Sequence, residues 1–356
     1  MVVKTAFSLS FMLFRSPFSL FCGRQLMSSL LTHTDGKSKN PSDGTTKANR
    51  EERMKEKIGF IGVGAMGSGM AANLLAKGWP VTVLAYRKRE AVDRLKTLGA
   101  SEAATARELA EASDVIVLCV TGSDQVQQLL SGRDGICAAE KPLLLIDCST
   151  SNPAITTKLA EELSQSGIIL VDAPLARTPK EAAEGTLDVM VGGSPEAVAR
   201  ARPILEAFSA RIVQTGGVGT AHTMKLLNNF VSMGYSAIYS EALMLAAKAG
   251  LTPQVFDSVL RGSRMDCGFY QAFFEFVLNR NENAQRFAMV NALKDMSYLA
   301  SFAQSVQAAN PVGAAVRNSF AAAVAAGKGE SFVPALSDIV AALNGVSLTD
   351  KNGPAE

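Results

Sequence analysis

The stretch Gly62-Val-Gly-Ala-Met-Gly67 limits what this chain can fold into more than any other, because of what flanks it. Ile58 to Val63 forms a short apolar run, and Met66 to Ala76 places apolar residues at helical spacing. Gly78 then stops the helix ahead of another apolar run, Val81 to Tyr86. A strand, a glycine turn, a helix and a second strand make a β-α-β unit of the kind that cradles phosphates. Gly62 serves the tight turn, Gly64 lets a pyrophosphate approach the backbone, and Gly67 lets helix pack on strand. The helix start, with Ala65 and Met66, offers amide N–H groups to an anion.

The alternation continues along the chain. Val115 to Val120 and Leu143 to Ile146 read as buried parallel strands, with Ile168 to Val171 and Val189 to Val191 as later ones. Asn152-Pro153 and Ser194-Pro195-Glu196 are helix starts, each with proline at the first helical position. This repetition implies a doubly wound sheet. After Gly219 the pattern changes to long Ala-, Leu- and Met-rich helices, the first from Thr220 to Ala249 with Gly250 as its stop. A further helical region, Arg261 to Tyr270, is expected where a second domain could close over a substrate, with Arg264 or Tyr270 selecting among acids. The expected fold class is α/β: a Rossmann-type dinucleotide-binding domain over residues 55–217, then an all-α domain over 218–347, joined by a long interdomain helix. With 356 residues, 47% of them hydrophobic, the chain has material for both cores.

Ahead of this body, residues 1–54 read as a targeting segment and a disordered linker. Lys4, Arg15, Arg24 and several serines, with no acid before Asp35, have the composition of a mitochondrial transit peptide. The run Ala6 to Phe14 is far shorter than the roughly 20 apolar residues of a membrane span, so no membrane partner is expected. A secretory signal can be that short, which leaves secretion as the lesser alternative, and Met27 or Met54 could start a cytoplasmic product. A net charge of +2 without a dense Lys/Arg block gives no footprint for nucleic acid. The five scattered cysteines suggest neither a zinc site nor a disulfide framework, and no metal is expected. Of the two histidines, His33 falls in the targeting segment, so His222 alone remains for histidine chemistry, against dehydrogenases built on a His-Asp pair.

Two features suggest chemistry. At the end of the second strand an NAD-selective site carries an acid for the ribose hydroxyl, whereas this chain reads Leu84-Ala-Tyr-Arg87-Lys88-Arg89. Arg87, with Lys88, can pair instead with a 2′-phosphate, so NADP(H) is expected over NAD(H), which stays possible. Much further on, Lys225-Leu-Leu-Asn-Asn229 lies inside the long helix. Residues three and four apart share a helix face, so Lys225, Asn228 and Asn229 can converge on one small molecule. Asparagine pairs are poor choices for a helix interior, which is a second sign of function.

Together, Ile58-Gly-Phe-Ile-Gly-Val-Gly-Ala-Met-Gly67, Asp147-Cys-Ser-Thr150, Asp172-Ala-Pro174, Gly185-Thr-Leu187, Gly192-Gly193, Lys225-x-x-Asn-Asn229 and Lys294-Asp295 resemble the β-hydroxyacid dehydrogenase family, over about Ile58 to Ala342. Its members include 3-hydroxyisobutyrate dehydrogenases and tartronate semialdehyde, glyoxylate/succinic semialdehyde and sulfolactaldehyde reductases. The resemblance implies hydride transfer between a nicotinamide cofactor and a small acidic aldehyde, ketone or hydroxy acid. Lys225 would be the general acid or base, and Asn229 would orient it or the reacting oxygen. It further implies cofactor contacts at Val120, Thr150 and Lys294, a structural role for Asp295, and homo-oligomers formed through the helical domain. The chain departs from the family at Ala176-Arg177-Thr178, where many members have Ser-Gly-Gly. That change makes Arg177, with Thr178, the expected substrate anchor for a carboxylate or sulfonate, although the same donors can tie the loop to its own carbonyls. The alternatives are a 3-hydroxyisobutyrate dehydrogenase using NAD and a non-catalytic nucleotide-binding scaffold protein.

Overall fold

A computed structural model describes residues 55–84 and 89–349 of the protein. The expected targeting segment and linker, and the cofactor-selecting Arg87 with Lys88, lie outside the described residues.

The first part of the chain forms β1 (Ile58–Ile61), α1 (Gly67–Ala76), β2 (Val81–Leu84), α2 (Arg89–Thr97), β3 (Ser101–Ala103), α3 (Ala106–Glu111), β4 (Val115–Leu118) and α4 (Ser123–Leu130). It continues through β5 (Leu143–Asp147), α5 (Pro153–Ser164), β6 (Ile168–Asp172), β7 (Leu175–Ala176), α6 (Pro179–Glu184), β8 (Leu187–Gly192), α7 (Pro195–Leu205) and β9 (Ser209–Gly216). The sheet order is β3-β2-β1-β4-β5-β6-β8-β7, with β9 on the free side of β8. From β3 to β6 every ladder is parallel. The order reverses between β1 and β4, which opens a crevice at the carboxyl ends of these two strands.

β1, β4 and β5 are buried along their whole lengths because helices cover both faces of the sheet. Alternate residues feed different cores. Phe60, Met70, Leu74, Val117 and Ile146 pack on one face, and Ile61, Leu109, Ile116, Leu118 and Leu145 on the other. The helix starts use the expected chemistry. The Asn152 side chain accepts from Ala154 N ahead of α5, and the Ser194 side chain from Ala197 N ahead of α7.

β4 stops at Leu118 rather than running to Val120. Val120 N donates to Ser149 Oγ at 3.0 Å, so a side chain replaces the next rung of the ladder. Beyond β6 the chain overshoots the parallel sheet. Asp172 pairs with Gly192 and Leu175 with Val189 in antiparallel register, so β7 and β8 extend past the carboxyl edge. The sequence pattern does not reveal β3, β7 or β9. β3 and β7 are too short for a periodic signal, and β9 carries Arg211, Gln214 and Thr215 among its residues.

The remainder is helical: α8 (Thr220–Lys248), α9 (Pro253–Leu260), α10 (Gly268–Asn279), α11 (Met289–Ser305), α12 (Pro311–Ala325) and α13 (Leu336–Leu343). α8 runs for 29 residues and buries Leu226 and Met233 against Met296 of α11 and Phe320 of α12. Further along, Tyr239 joins Tyr270, Phe273 and Phe274 in an aromatic core. The expected helix from Arg261 to Tyr270 is corrected to a turn followed by α10. Gly262 has φ +76°, and its N–H donates to Asp266 Oδ2 at 2.8 Å, which breaks the helical path. Tyr270 is fully buried with its hydroxyl on Asp257 Oδ1 at 2.9 Å, so it is a core residue and not a selector of acids. No helix among the described residues is long and apolar enough to cross a membrane.

Candidate active site

The glycine turn between β1 and α1 separates three physical requirements. Gly62 has φ +99°, and a Cβ there would lie 2.2 Å from Cys119 O on the neighbouring strand end. A Cβ at Gly67 would lie 2.0 Å from Gly62 O. Both positions therefore exclude any side chain for reasons internal to the protein. Gly64 differs, because a Cβ there would meet no atom within 4 Å. The fold itself does not demand glycine at 64. Met66 precedes α1 without a side-chain cap, and the first turn of α1 holds no acidic residue. The Ala65 and Met66 amides donate to no protein acceptor among the described residues. An uncapped, positively polarised helix start beside an open glycine is a fitting seat for a pyrophosphate.

Next to this turn, the loops after β4 and β5 meet α8 and α11. Asp147 closes β5 and shapes its loop: Oδ1 accepts from Ser149 N and Oδ2 from Ser151 Oγ, both at 2.9 Å. Thr150 is held between those two anchored serines. Lys294 of α11 clasps both loops, its ammonium donating to Thr121 O at 2.7 Å and to Thr150 O at 3.0 Å. The packing is close, since a Cβ at Gly122 would lie 2.7 Å from Tyr298 Oη. The structure thus brings Val120, Thr150 and Lys294 together at the crevice. Here Lys294 holds main-chain carbonyls of the loops that would frame a cofactor.

α8 delivers Lys225, Asn228 and Asn229 to the same region. Asn228 is exposed, with Nδ2 3.3 Å from Asn229 Oδ1. Asn229 is buried and donates from Nδ2 to Asp295 Oδ2 at 2.7 Å. Lys225 is half-buried, and its ammonium makes no hydrogen bond or ion pair among the described residues. Burial pushes the Lys225 pKa below that of an ordinary lysine. The Asp295 carboxylate opposes that shift, and the Lys294 charge adds to it.

The amino end of α8 is fixed from below. Asp172, fully buried at the end of β6, accepts from Gly219 N at 2.8 Å and from His222 N at 2.9 Å, an N-terminal cap from a distant strand. Burial raises the Asp172 pKa even against these donors and nearby His222. His222 is itself fully buried. Its Nδ1 is 2.8 Å from Thr156 Oγ1 and its Nε2 is 3.1 Å from Ser149 O, so it ties α8 to α5 and to the Thr150 loop. One turn of helix separates this strut from Lys225.

Arg177 and Thr178 stand on the extension beyond the sheet edge. Arg177 has φ +80°, a left-handed conformation that costs roughly 1 kcal/mol or more for a residue with a side chain. Its Nε donates to Asp188 Oδ2 at 3.0 Å, and the side chain remains half exposed. Thr178 begins α6 in a capping box with Glu181, which commits its hydroxyl to the helix. α6 lies on α1, where Asn73 Nδ2 donates to Ala182 O at 3.0 Å, so this corner adjoins the helix that starts at the glycine turn. Two residues of the site escape the sequence reading, and Asp295 enters it only as a structural residue. Asp172 and Ser149 sit inside motifs without an evident task. Asp295 shares the stripe of Ala292, Met296 and Leu299, and a carboxylate on an apolar helix face was the available signal.

Known proteins resemble this chain in both halves. Residues 57–217 match the NAD binding domain of 6-phosphogluconate dehydrogenase, and residues 219–337 match the family described as NAD-binding of NADP-dependent 3-hydroxyisobutyrate dehydrogenase. The 3-hydroxyisobutyrate dehydrogenase of Pseudomonas aeruginosa is 36% identical over 271 residues, 74% of this chain and 90% of that one. The 3-sulfolactaldehyde reductase of Escherichia coli is 33% identical over 273 residues, 76% of this chain and 91% of that one. The solved structure of Mycobacterium tuberculosis 3-hydroxyisobutyrate dehydrogenase with L-serine has a TM-score of 0.71 at 26% identity, covering 81% of this chain and 99% of that one.

Proposed function

The chain belongs to the β-hydroxyacid dehydrogenase family and is an NAD(P)-dependent hydroxyacid dehydrogenase, and from this premise we propose that it interconverts a small acidic semialdehyde or ketone with its hydroxy acid, using NADP(H) and Lys225. The observation that carries the proposal is the Lys225 ammonium, desolvated and without a partner among the described residues, at the crevice where the strand order reverses. A reduced nicotinamide, when bound, would supply the hydride that reaches the carbonyl carbon. As negative charge develops on the carbonyl oxygen, the Lys225 ammonium stabilises it and donates the proton. In the reverse direction the neutral amine accepts the hydroxyl proton, and a lowered pKa makes that amine accessible nearer neutrality. Asn229, with Asn228 beside it, would orient Lys225 or the reacting oxygen.

The turn from Gly62 to Gly67, with the Ala65 and Met66 amides, would hold the pyrophosphate, and Val120, Thr150 and Lys294 would frame the nicotinamide end. NADP(H) preference rests on Arg87, on the missing acid after β2, and on a finding at Arg89. Arg89 is ion-paired to Glu102 and Asp93, which leaves Arg87 and Lys88 as the bases for a 2′-phosphate. Arg177, with its main chain strained and its guanidinium only partly used by Asp188, would anchor the carboxylate or sulfonate of the substrate, beside Thr178.

Turnover of NADPH and NADH with glyoxylate, succinic semialdehyde, methylmalonate semialdehyde, tartronate semialdehyde and sulfolactaldehyde tests this reading, with Lys225→Ala as control. Turnover that survives in Lys225→Ala would remove the lysine from the mechanism, and a clear NADH preference would remove the 2′-phosphate assignment. Arg177→Glu is expected to raise KM for acidic substrates, and an unchanged KM would dismiss the anchor. Self-association is also proposed. Met224, Val231, Tyr235, Ile238 and Leu245 leave an apolar stripe exposed along α8, and Ile238→Glu should then shift the mass found by light scattering downward. A reporter fused to residues 1–53 tests the proposed mitochondrial import, which a diffuse signal would refute.

A further inference from the structure

Asp295 holds a position that is costly to maintain. It is 1% exposed on the apolar face of α11, where a Leu or Met would pack well against the surrounding core. Oδ2 accepts from Asn229 Nδ2 at 2.7 Å. Oδ1 is 2.9 Å from Lys294 Nζ, out of hydrogen-bond alignment, and receives no hydrogen bond among the described residues. A buried carboxylate with one oxygen unsatisfied is retained against its desolvation cost. It therefore answers to the charges around it.

We propose that Asp295 is a positioning residue of this site: it fixes the Asn229 carboxamide and supplies the buried countercharge shared by Lys225 on α8 and Lys294 on α11. The inference rests on Lys225 being the proton donor and acceptor. A carboxylate can only accept, so its bond selects Nδ2 of Asn229 and leaves Oδ1, already met by Asn228 Nδ2 at 3.3 Å, as the end that receives donors. Because Lys294 also clasps the Thr121 and Thr150 carbonyls, one carboxylate links the helix bearing Lys225 to the loops after β4 and β5. Among the groups acting on Lys225, Asp295 favours the charged lysine, while burial and Lys294 disfavour it. The other ionisable groups near the start of α8 are His222, turned to Thr156 and Ser149, Asp172 on the first-turn amides, and Asp147 on its own loop. None of these forms an ion pair with Lys225.

The test reads Lys225 directly, by competitive acetylation of the full chain with acetic anhydride from neutral to alkaline pH and peptide mass spectrometry. Turnover profiles are measured in parallel. In Asp295→Asn the midpoint of Lys225 reactivity should fall by about one pH unit, and the alkaline limb of the reduction rate should fall with it. Lys294→Met should move both upward, and Asp295→Glu should recover part of the wild-type value. The opposed signs distinguish positioning from damage, and Lys294→Met remains informative if Asp295→Asn does not fold. If Lys225→Ala abolishes turnover while neither neighbouring variant moves the Lys225 midpoint, the role of Asp295 is overturned and the lysine mechanism stands. Turnover that survives in Lys225→Ala defeats both.

Discussion

Replacing Gly64 by alanine should separate cofactor binding from folding within one turn. The added Cβ meets no atom within 4 Å, and the backbone there is not in the left-handed region that resists a side chain. The unfolded chain loses freedom on this substitution, so stability without nucleotide should hold or rise by about 0.4–1 kcal/mol. Binding is expected to respond oppositely, because the methyl group would stand in the path of the proposed pyrophosphate to the turn and to the Ala65 and Met66 amides, which have no acceptor among the described residues. Losing one or two hydrogen bonds to a charged group, at about 1.5–3 kcal/mol each, predicts roughly a tenfold to hundredfold or greater weakening. The assay pairs thermal unfolding of the nucleotide-free protein with titration of NADPH by nicotinamide fluorescence. Gly67→Ala is the contrasting control, since its Cβ would lie 2.0 Å from Gly62 O and must destabilise the turn itself. Affinity within threefold of wild type in Gly64→Ala would refute the assignment of this turn as the phosphate seat. A loss of more than about 1 kcal/mol in the nucleotide-free protein would refute the claim that the fold leaves this position open.

Lys225→Met should lower turnover by about 10²–10⁴-fold and yet raise thermal stability at neutral pH. The folded pKa of Lys225 is lowered by burial, so between that value and the ordinary lysine value of 10.5 the unfolded chain binds more protons and wild-type stability rises with pH. The variant should lack that rise, and its advantage at pH 7 corresponds to about 1.4 kcal/mol for each unit of lowering. A wild-type stability that stays flat or falls through the alkaline window, relative to the variant, would contradict this. Asp172→Asn keeps one acceptor where the wild type serves the Gly219 and His222 amides, so urea unfolding should show a loss of about 1–3 kcal/mol. No loss would mean that the α8 cap carries no weight. Gly69→Ala would place a Cβ 2.7 Å from the Ala182 backbone and should cost about 1–3 kcal/mol by separating α1 from α6, which an unchanged Tm would disprove.

The sequence by itself determined the architecture, because its strongest signals are local. Apolar runs such as Ile58–Ile61 and Val115–Leu118, the glycine turn, and the Asn152 and Ser194 helix starts each describe a short segment whose preference survives in the fold. The helical spacing of Lys225, Asn228 and Asn229 is local as well, and so is the absence of an acid after β2. Where local preference was weak, as in the edge strand β9, or was broken by Gly262, the pattern misled. Only the tertiary structure decided which charges meet. Asp295 lies 66 residues from Asn229, and Lys294 lies 144 residues from Thr150, and neither pairing leaves a periodic mark in the chain. The same holds for Asp172 beneath α8 and for Asp188 beside Arg177. Burial and charge pairing arise when distant elements pack, so the pKa of Lys225 and the orientation of Asn229 are properties of the packed crevice. The residue types were legible in the chain, and their electrostatic environment was not.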